Sequence, residues 1–370
     1  MNLTLVALEG KEGGIGAYAH QLRSALSSYS GLNLLPLIPE DHIIGCNGWL
    51  DCRQQYKRIG ARLNRADIIH LQHQYFLFGG VAPYRSHVRS FYNAIRAPML
   101  VTAHEVVEPH GSPLRKAAIR ISNRLNFTHS TITRLHVHTR RDQRILTDMK
   151  IPSARITLEP HPIPDPAPLP YSAETAKVRL GLEGKTVLTL FGYLAPNKGH
   201  LIAIEALSSL SEETHLLLAG GPHPQDRTSY VSVLKQQIAR SRTVDRVHIT
   251  GYIPDDDIPL IMAASDLILA PYLTTSGSGA LSLAIAYGKP VLASDIEAHQ
   301  EIIEMGGCLR IYSPNEPAVL AEAAMELLND QPSLIALSEA TQRYRSVHSF
   351  HAFAGKMISL YEEILQCASH

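Results

Sequence analysis

The stretch LILAPYLTTSGSGALSLAIAYGKPVLAS, residues 267–294, decides the fold of this chain. It begins and ends with short apolar runs, Leu267–Ala270 and Val291–Ser294, which have the composition of strands buried on both faces of a sheet. Between these runs, a loop of small residues leads into a segment, residues 279–287, that is typical of a helix. A strand, a helix and a second strand in this order predict a βαβ unit with parallel strands.

The same alternation continues on both sides of this stretch. In the second half of the chain, the other predicted strands are Thr186–Phe191, Thr214–Ala219, Arg246–Thr250 and Cys308–Ile311, and the other predicted helices are Gly199–Ser209, Ser229–Ser241, Asp255–Ala264, Pro314–Asn329, Pro332–Arg345 and Phe350–Gln366. In the first half, the predicted strands are Leu3–Leu8, Leu32–Ile38, Asp67–Leu71, Met99–His104, Arg134–His138 and Ile156–Pro160, and the predicted helices are Gly16–Ser28, Tyr84–Ile95, Leu114–Asn126 and Arg140–Met149. We therefore predict an α/β protein with two Rossmann-like domains that face each other across a cleft, with ligands at the carboxyl ends of the strands.

A proline-rich segment separates the two series of elements. His161–Pro170 has five prolines in ten residues. Because proline fixes φ and lacks an N–H donor, this segment is predicted to be a linker. We place the first domain at residues 1–165, the second at residues 166–348, and a C-terminal helix that returns towards the first domain at residues 349–370.

Composition excludes several classes of protein. The chain has 370 residues, of which 45% are apolar and 18% are charged, as in folded globular domains. No apolar run approaches the roughly 18–20 residues that span a bilayer, and residues 1–8 resemble a buried strand more than a signal peptide. Four cysteines, Cys46, Cys52, Cys308 and Cys367, have no spacing typical of a zinc site, so we expect reduced thiols, no metal and a cytoplasmic protein.

Charge is distributed unevenly along the chain. Residues 1–165 contain 20 Lys and Arg against 12 Asp and Glu, whereas the remainder contains 14 against 22. Four of the basic residues recur at near-helical spacing: Arg115, Lys116, Arg120 and Arg124. They predict a basic amphipathic helix that either binds an anionic membrane or acceptor, or packs on the sheet with its arginines in water. Nucleic-acid binding is not expected, because no aromatic residues alternate with the basic ones.

Two motifs in the second half have the chemistry of a diphosphate site. Asn197 and Lys198 follow a predicted strand, just before a helix. There Asn197 can contact the donor, and the charge of Lys198 can stabilise a departing nucleoside diphosphate without a metal. The loop Thr275-Ser276-Gly277-Ser278-Gly279 leads into another helix, and its amides and hydroxyls can surround phosphate oxygens. The alternatives are a solvated lysine and an ordinary Ser/Gly loop. The loop lacks the lysine of a Walker motif.

Three further motifs are candidates for ligand contacts. Gly251-Tyr252-Ile253-Pro254-Asp255 can hold a nucleobase by stacking and backbone hydrogen bonds, or can be a plain turn. The glycines of Glu12–Gly16 can bring backbone close to an anion or sugar, although the pattern is not that of a dinucleotide dehydrogenase. His104 follows a predicted strand and can contact a sugar hydroxyl or transfer a proton, or it can be a structural histidine.

The order of these motifs resembles the retaining, glycogen-synthase-like GT-B glycosyltransferases, also called group 1 glycosyltransferases. The resemblance is strongest over residues 186–312, through the segments Gly192–Gly199, Leu218–Gly221, Gly251–Pro254, Ala264–Asp266 and Ala284–Val291. It is looser in the first half, where Gly13–Gly16, Thr102–His104 and Val137–Thr139 match.

The resemblance implies transfer of a hexose from a nucleoside-diphosphate sugar to a glycan or glycolipid hydroxyl, with retained configuration and no required metal. It implies that His104 contacts the transferred sugar, and that Lys198 and the amides of Ser276–Gly279 hold the diphosphate. The base would lie against Tyr252, Ile253 and Pro254, and Gly14 and Gly16 would approach the phosphate or the acceptor. Such enzymes serve cell-surface polysaccharide synthesis, some of them bound peripherally to the inner face of the membrane.

The chain departs from the family at two acidic positions. Where the family has two glutamates separated by seven residues, this sequence has Thr275 and Leu283. An alternative prediction is therefore a catalytically degraded homologue that acts as a binding subunit of a partner transferase. An epimerase or a phosphorylase of the same fold is disfavoured, because the carboxylates and a cofactor-binding lysine are missing.

Overall fold

A computed structural model of the chain describes residues 1–7, 14–29, 33–35, 49–222, 229–275 and 277–368. The chain divides into two compact units. The first consists of Met1–Pro160 with Phe350–His370, and the second consists of His161–Ser349.

The first unit contains a sheet of six parallel strands. These strands are β1 (Asn2–Val6), β2 (Asn33–Leu35), β3 (Ile68–His73), β4 (Met99–Ala103), β5 (Ile132–Val137) and β6 (Ile156–Leu158), in the order β2-β1-β3-β4-β5-β6. Among the described residues, the helices of this unit are α1 (Gly14–Leu26), α2 (Trp49–Arg62), α3 (Val88–Tyr92), α4 (Pro113–Phe127), α5 (Arg140–Asp148) and, at the end of the chain, α14 (Phe350–Ala368).

Helices cover both faces of this first sheet. On one face, α1 and α14 bury Tyr18, Leu22, Phe353 and Tyr361 against strand residues such as Leu5. On the other face, a larger core joins α2 and α3 to the sheet. Burial on both faces explains why apolar residues on these strands do not alternate with exposed polar ones.

The second unit repeats the architecture with its own six parallel strands. These strands are β7 (Thr186–Phe191), β8 (Thr214–Ala219), β9 (Val247–Ile249), β10 (Leu267–Ala270), β11 (Val291–Ser294) and β12 (Arg310–Tyr312), in the order β12-β11-β10-β7-β8-β9. Its helices in the described part of the chain are α6 (Ala173–Arg179), α7 (His200–Ala206), α8 (Tyr230–Arg240), α9 (Ile258–Ala264), α10 (Gly279–Ala286), α11 (Glu297–Glu304), α12 (Pro317–Asn329) and α13 (Gln331–His348).

The proline-rich segment forms no helix or strand, but it is packed within the second unit. Ile163 is buried among the residues of that core, and its N–H donates to the carbonyl of His348 at 2.8 Å. The Arg345 guanidinium donates to Asp165 Oδ1 at 2.9 Å. These contacts explain why the second unit begins at His161.

Every predicted strand overlaps an observed one, whereas three helices of the described ranges were not predicted: α2, α6 and α11. The predicted helix Tyr84–Ile95 is wrong in length. Its start is a separate 3₁₀ turn, Pro83–Arg85, because Ser86 has an extended backbone with ψ of 127°, and only α3 is α-helical. The prediction of four reduced cysteines is wrong for Cys52, which is disulfide-bonded, whereas Cys308 and Cys367 are free.

Candidate functional site

Lys198 lies at the carboxyl edge of the second sheet, in a 3₁₀ turn between β7 and α7. Its ammonium donates to Ser278 Oγ at 3.2 Å and stands 3.8 Å from the centroid of the Tyr272 ring. The Tyr272 hydroxyl is itself 3.2 Å from Ser278 Oγ. Among the described residues, no carboxylate pairs with Lys198. The predicted site residues Lys198 and Ser278 are therefore in contact, and the described residues supply no counter-ion for the cation.

The amino end of α10 adds to the positive potential around this lysine. Ser278 is the N-cap residue, and its Oγ accepts from Leu281 N–H at 3.2 Å. The N–H groups of Gly279 and Ala280 have no acceptor within the described part of the chain. Unpaired N–H groups at a helix start attract anions, and a bare cation there is unfavourable until an anion binds. This end of the helix thus has the character of a phosphate site.

Tyr272 is not among the site residues predicted from the sequence. It comes two residues after β10, so its place at the carboxyl edge of the strand was the available signal. Its ring attracts the Lys198 ammonium through a cation–π contact, which holds the charge at the site.

Asn197 joins the turn that carries Lys198 to the loop before α10. Its carbonyl accepts from Leu273 N–H at 2.8 Å, and its side-chain amide donates to the Thr274 carbonyl at 3.1 Å. Two hydrogen bonds across these segments fix their relative position. Asn197 therefore holds the turn of Lys198 in place, and this structural role is compatible with a donor contact.

Gly199 permits the turn to approach β10 closely. It has a φ of +73°, and a Cβ placed on it would lie 1.9 Å from the Pro271 carbonyl oxygen. We expect Gly199→Ala to lower the free energy of unfolding by at least about 2 kcal/mol, since strain at positive φ adds to a steric overlap with backbone. Thermal and denaturant unfolding would measure this loss.

Gly181 provides a matched control for that substitution. Its φ is +69°, but a Cβ there would meet nothing within 4 Å. Gly181→Ala is expected to cost only the backbone term. Equal losses in both variants would contradict the close approach at Gly199.

The loop Thr275–Gly279 contains an internal turn. Thr275 Oγ1 donates to the Gly277 carbonyl at 2.6 Å and lies 3.3 Å from Gly277 N. Gly277 has a φ of +136°, which favours glycine. Ser276 lies outside the described residues. Leu283, at the second acidic position of the family, is half-buried in α10.

The candidate base-binding loop lies further along the same edge. Tyr252 follows β9, and its side chain is 61% exposed. Gly221 packs on the backbone of Tyr252, where a Cβ would lie 3.1 Å from its nitrogen, and Ile253 is half-buried beside Pro254. β9 is two strands from β7, so about 10 Å separates the strands that precede this loop and the turn of Lys198. The exposed ring and the lysine thus occupy separate positions on one edge.

Two buried histidines, His200 and His299, lie near Lys198 and do not carry a positive charge of their own at pH 7. Burial, with the nearby Lys198 charge, lowers the pKa of His200 and the pKa of His299 to about 4. Both rings are therefore neutral at pH 7. His299 donates from Nδ1 to the Ser294 carbonyl at 2.8 Å, and its ring lies 5.3 Å from that of Tyr272.

In the first unit, His104 lies at the carboxyl edge of the sheet, directly after β4. Its Nε2 is 2.9 Å from Gln72 Oε1, and its ring packs edge-on against Tyr18 with centroids 4.7 Å apart. The His138 ring is 5.4 Å away. His104 is half-buried, so its ring is held in place and still reaches the surface. The histidine was predictable from the sequence, whereas Gln72 and Tyr18, which hold it, were not.

Gly14 and Gly16 lie in the first turn of α1 rather than in a loop before it. Gly16 is buried in this turn. The first N–H groups of a helix have no acceptor within the helix, which suits an anion or a sugar. The preceding Glu12 and Gly13 lie outside the described residues.

The basic residues of α4 are exposed together with apolar ones. Leu114 is 85% exposed and Ile121 is 52% exposed, whereas Ile119 and Phe127 pack on the core of the first unit. The cationic side chains on the exposed surface are Arg115, Lys116, Arg120 and Arg124. None of the helices in the described ranges is long and apolar enough to cross a membrane.

Comparison with known proteins shows what this arrangement is similar to. The family "Glycosyl transferases group 1" matches residues 185–330, which include the site around Lys198. The 2-deoxystreptamine glucosyltransferase of Streptomyces kanamyceticus is 28% identical over 203 residues, which cover 53% of this chain and 51% of that protein. The lipopolysaccharide core biosynthesis mannosyltransferase LpsB of Rhizobium meliloti is 27% identical over 208 residues, which cover 53% of this chain and 57% of that protein. The chain thus aligns with about half the length of these curated relatives.

A solved structure covers nearly the whole chain. The crystal structure of Anabaena HepE in complex with UDP and glucose has a TM-score of 0.76 at 18% identity and covers 98% of this chain and 100% of that chain. This likeness concerns the fold. The chain therefore has the GT-B fold and contains a group 1 glycosyltransferase domain over residues 185–330.

Proposed function

We propose that this chain is a retaining glycosyltransferase that transfers a hexose from a nucleoside-diphosphate sugar to a hydroxyl of a glycan or glycolipid. One observation carries the proposal: the Lys198 ammonium, without a counter-ion among the described residues, stands at the amino end of α10. A diphosphate supplies the charge that this arrangement lacks. As the bond to the sugar breaks, negative charge grows on the diphosphate, and both groups stabilise it.

The other candidate residues fit the remaining parts of such a donor. Tyr252 offers an exposed ring for the base, with Ile253 and Pro254 beside it. His104 offers a held imidazole for a sugar hydroxyl. Gly14 and Gly16 offer backbone N–H groups at a helix start. The lysine and helix amides provide positive charge, so we expect turnover in buffer that contains EDTA.

Donor binding is tested by thermal unfolding with nucleotides. We expect one of UDP, GDP, ADP or dTDP, or a hexose linked to it, to raise the melting temperature, because a ligand that binds only the folded chain stabilises it. The matching nucleoside without phosphates is the control and should have a much smaller effect. An absence of any shift across this panel would argue against a donor site.

A second candidate function rests on the acidic positions of the family. Thr275 engages its hydroxyl with Gly277, and Leu283 is apolar, so neither provides a carboxylate. This favours a catalytically degraded homologue that binds a partner transferase. Binding of a partner without a thermal shift from any nucleotide sugar would support it, whereas turnover by the isolated chain would exclude it.

We further propose that α4 contacts an anionic membrane or a lipid-linked acceptor at the inner membrane face, in cell-surface polysaccharide synthesis. The relative LpsB is named for lipopolysaccharide core biosynthesis. Exposed Leu114 and Ile121 beside four cations match a surface that inserts apolar side chains and attracts lipid phosphates.

Charge reversal of α4 is expected to weaken binding to vesicles of 30% phosphatidylglycerol in phosphatidylcholine at least about 10-fold, since each basic residue near such a surface contributes about 1 kcal/mol. The variant replaces Arg115, Lys116, Arg120 and Arg124 by glutamate, and co-sedimentation measures the bound fraction. A matched control reverses four exposed cations of α2: Arg53, Lys57, Arg58 and Arg62. Equal loss in both variants would show nonspecific attraction and contradict a docking role for α4.

A further inference from the structure

Gln72 connects His104 to a chain of buried polar side chains in the first unit. It lies on β3 and is fully buried. Its Oε1 is 2.9 Å from His104 Nε2, and its Nε2 is 3.0 Å from His70 Nε2. One amide group therefore bridges two imidazole rings.

The chain beyond Gln72 is anchored at several points. His70 Nδ1 lies 2.7 Å from the Tyr361 hydroxyl on α14, and His70 Nε2 lies 2.7 Å from Thr102 Oγ1. Thr102 Oγ1 is 3.0 Å from His136 Nδ1. All these side chains are fully buried, and burial lowers the pKa of His70 to about 3, so its ring is neutral. A buried network of this kind has few alternative arrangements, because any lost partner leaves a desolvated polar group.

The amide of Gln72 determines which of the two imidazole rings donates a hydrogen bond to it and which one accepts. A glutamine side chain donates only from its nitrogen and accepts only at its oxygen. With the nitrogen of Gln72 on the neutral ring of His70, the oxygen faces His104 and accepts from its Nε2. A neutral imidazole has one N–H, so Nδ1 becomes the basic nitrogen of His104.

We propose that Gln72 is a positioning residue, which holds the neutral form of the His104 imidazole in the Nε2–H tautomer and fixes the orientation of its ring. The catalytic part of this inference rests on the proposed function, in which His104 acts on the sugar or its acceptor. Gln72 itself contacts no substrate. Its effect is to keep one nitrogen of His104 basic and in a constant place, as the orienting partner of a catalytic base does.

Nitrogen-15 NMR of histidine-labelled protein tests the tautomer directly. The signals of His104 are assigned as those lost in His104→Gln. We expect the Nε2–H pattern in the wild type and a mixture of both tautomers in Gln72→Met, which keeps the side-chain volume but removes the amide. A wild-type mixture, an Nδ1–H pattern, or an unchanged pattern in Gln72→Met would overturn the proposal.

Asn126→Leu is the matched control, because it also removes a buried amide from the first unit. In the wild type, Asn126 Oδ1 accepts from His73 Nε2 at 2.8 Å, and the Asn126 side chain makes no hydrogen bond to His104. We expect it to reduce stability and to leave the His104 pattern unchanged. If Gln72→Met does not fold, Gln72→Glu keeps an acceptor oxygen for His104, so Nε2 of His104 should stay protonated; an unprotonated Nε2 in that variant would overturn the proposal.

Turnover provides a second, separable readout. We expect Gln72→Met to lower kcat by about 10-fold to 100-fold with the donor KM unchanged, since misplacing a reacting group slows chemistry more than binding. Wild-type kcat in this variant would contradict a positioning role in catalysis. If the wild type itself turns over no donor, the proposed function fails, and the NMR result alone decides whether Gln72 sets the tautomer.

Discussion

Lys198→Ala is expected to lower kcat for nucleotide-sugar turnover by about 100-fold to 1000-fold, the range found when one preorganised donor to a developing anion is removed. The reason is the position of the ammonium, which donates to Ser278 at the amino end of α10 and has no counter-ion among the described residues. The charge on the diphosphate grows as the sugar departs, so the transition state loses more than the bound donor does. Initial rates of nucleoside diphosphate release measure the effect.

Two further variants separate this effect from general damage. Lys198→Arg keeps the charge but changes its geometry, and should recover part of the lost rate. Lys185→Ala removes another lysine of the second unit, which pairs with Glu213 and directly precedes β7, whereas Lys198 follows that strand. This variant should retain wild-type turnover. A Lys198→Ala variant that folds and retains its kcat would remove the basis for the diphosphate site.

His104→Ala is expected to lower kcat about 100-fold, within the range for loss of one acid–base or sugar-contacting group. The imidazole lies directly after β4, held by Gln72 and by a T-shaped contact with the Tyr18 ring. The affinity for the free nucleoside diphosphate should not change, because that ligand lacks the sugar. Steady-state kinetics and calorimetric titration with the diphosphate together measure the two quantities.

His110→Ala is the control for this histidine. His110 lies in the same connection between β4 and α4, is exposed, and contacts only the Glu108 carbonyl among the described residues. It should retain full turnover. Equal losses in the two variants would indicate damage to the connection rather than a role for His104.

Much of the fold was predictable from the hydrophobic periodicity of the sequence and from the glycines and prolines that separate helices and strands. Strands such as Leu267–Ala270 were predictable because burial on both faces requires continuous apolar runs. Helix α2 was not, because its sequence is mostly polar and contains Gly60. Its buried residues, Tyr56 and Ile59, form only a narrow apolar stripe. Tertiary packing against α3 stabilises such a helix more than its own propensity does.

The candidate site was predictable in part, for a similar reason. Lys198 and Ser278 were found because both lie between a strand and a helix, where a parallel sheet places its ligands. Their direct contact, and the ring of Tyr272 beneath the ammonium, depend on strands that are adjacent in the sheet but distant in sequence. Gln72 was not predicted for the same reason, since the pairing of β3 with β4 brings its amide to His104.

The most direct test of glycosyltransferase function measures nucleoside diphosphate release by the isolated chain from UDP-, GDP-, ADP- and dTDP-hexoses, with Lys198→Ala in parallel. The geometry around Lys198 and α10 predicts release from at least one of these donors by the wild type, and a loss of about 100-fold or more in the variant. Folded wild-type protein that releases no nucleoside diphosphate from any of them, or a variant as active as the wild type, would contradict the proposed function.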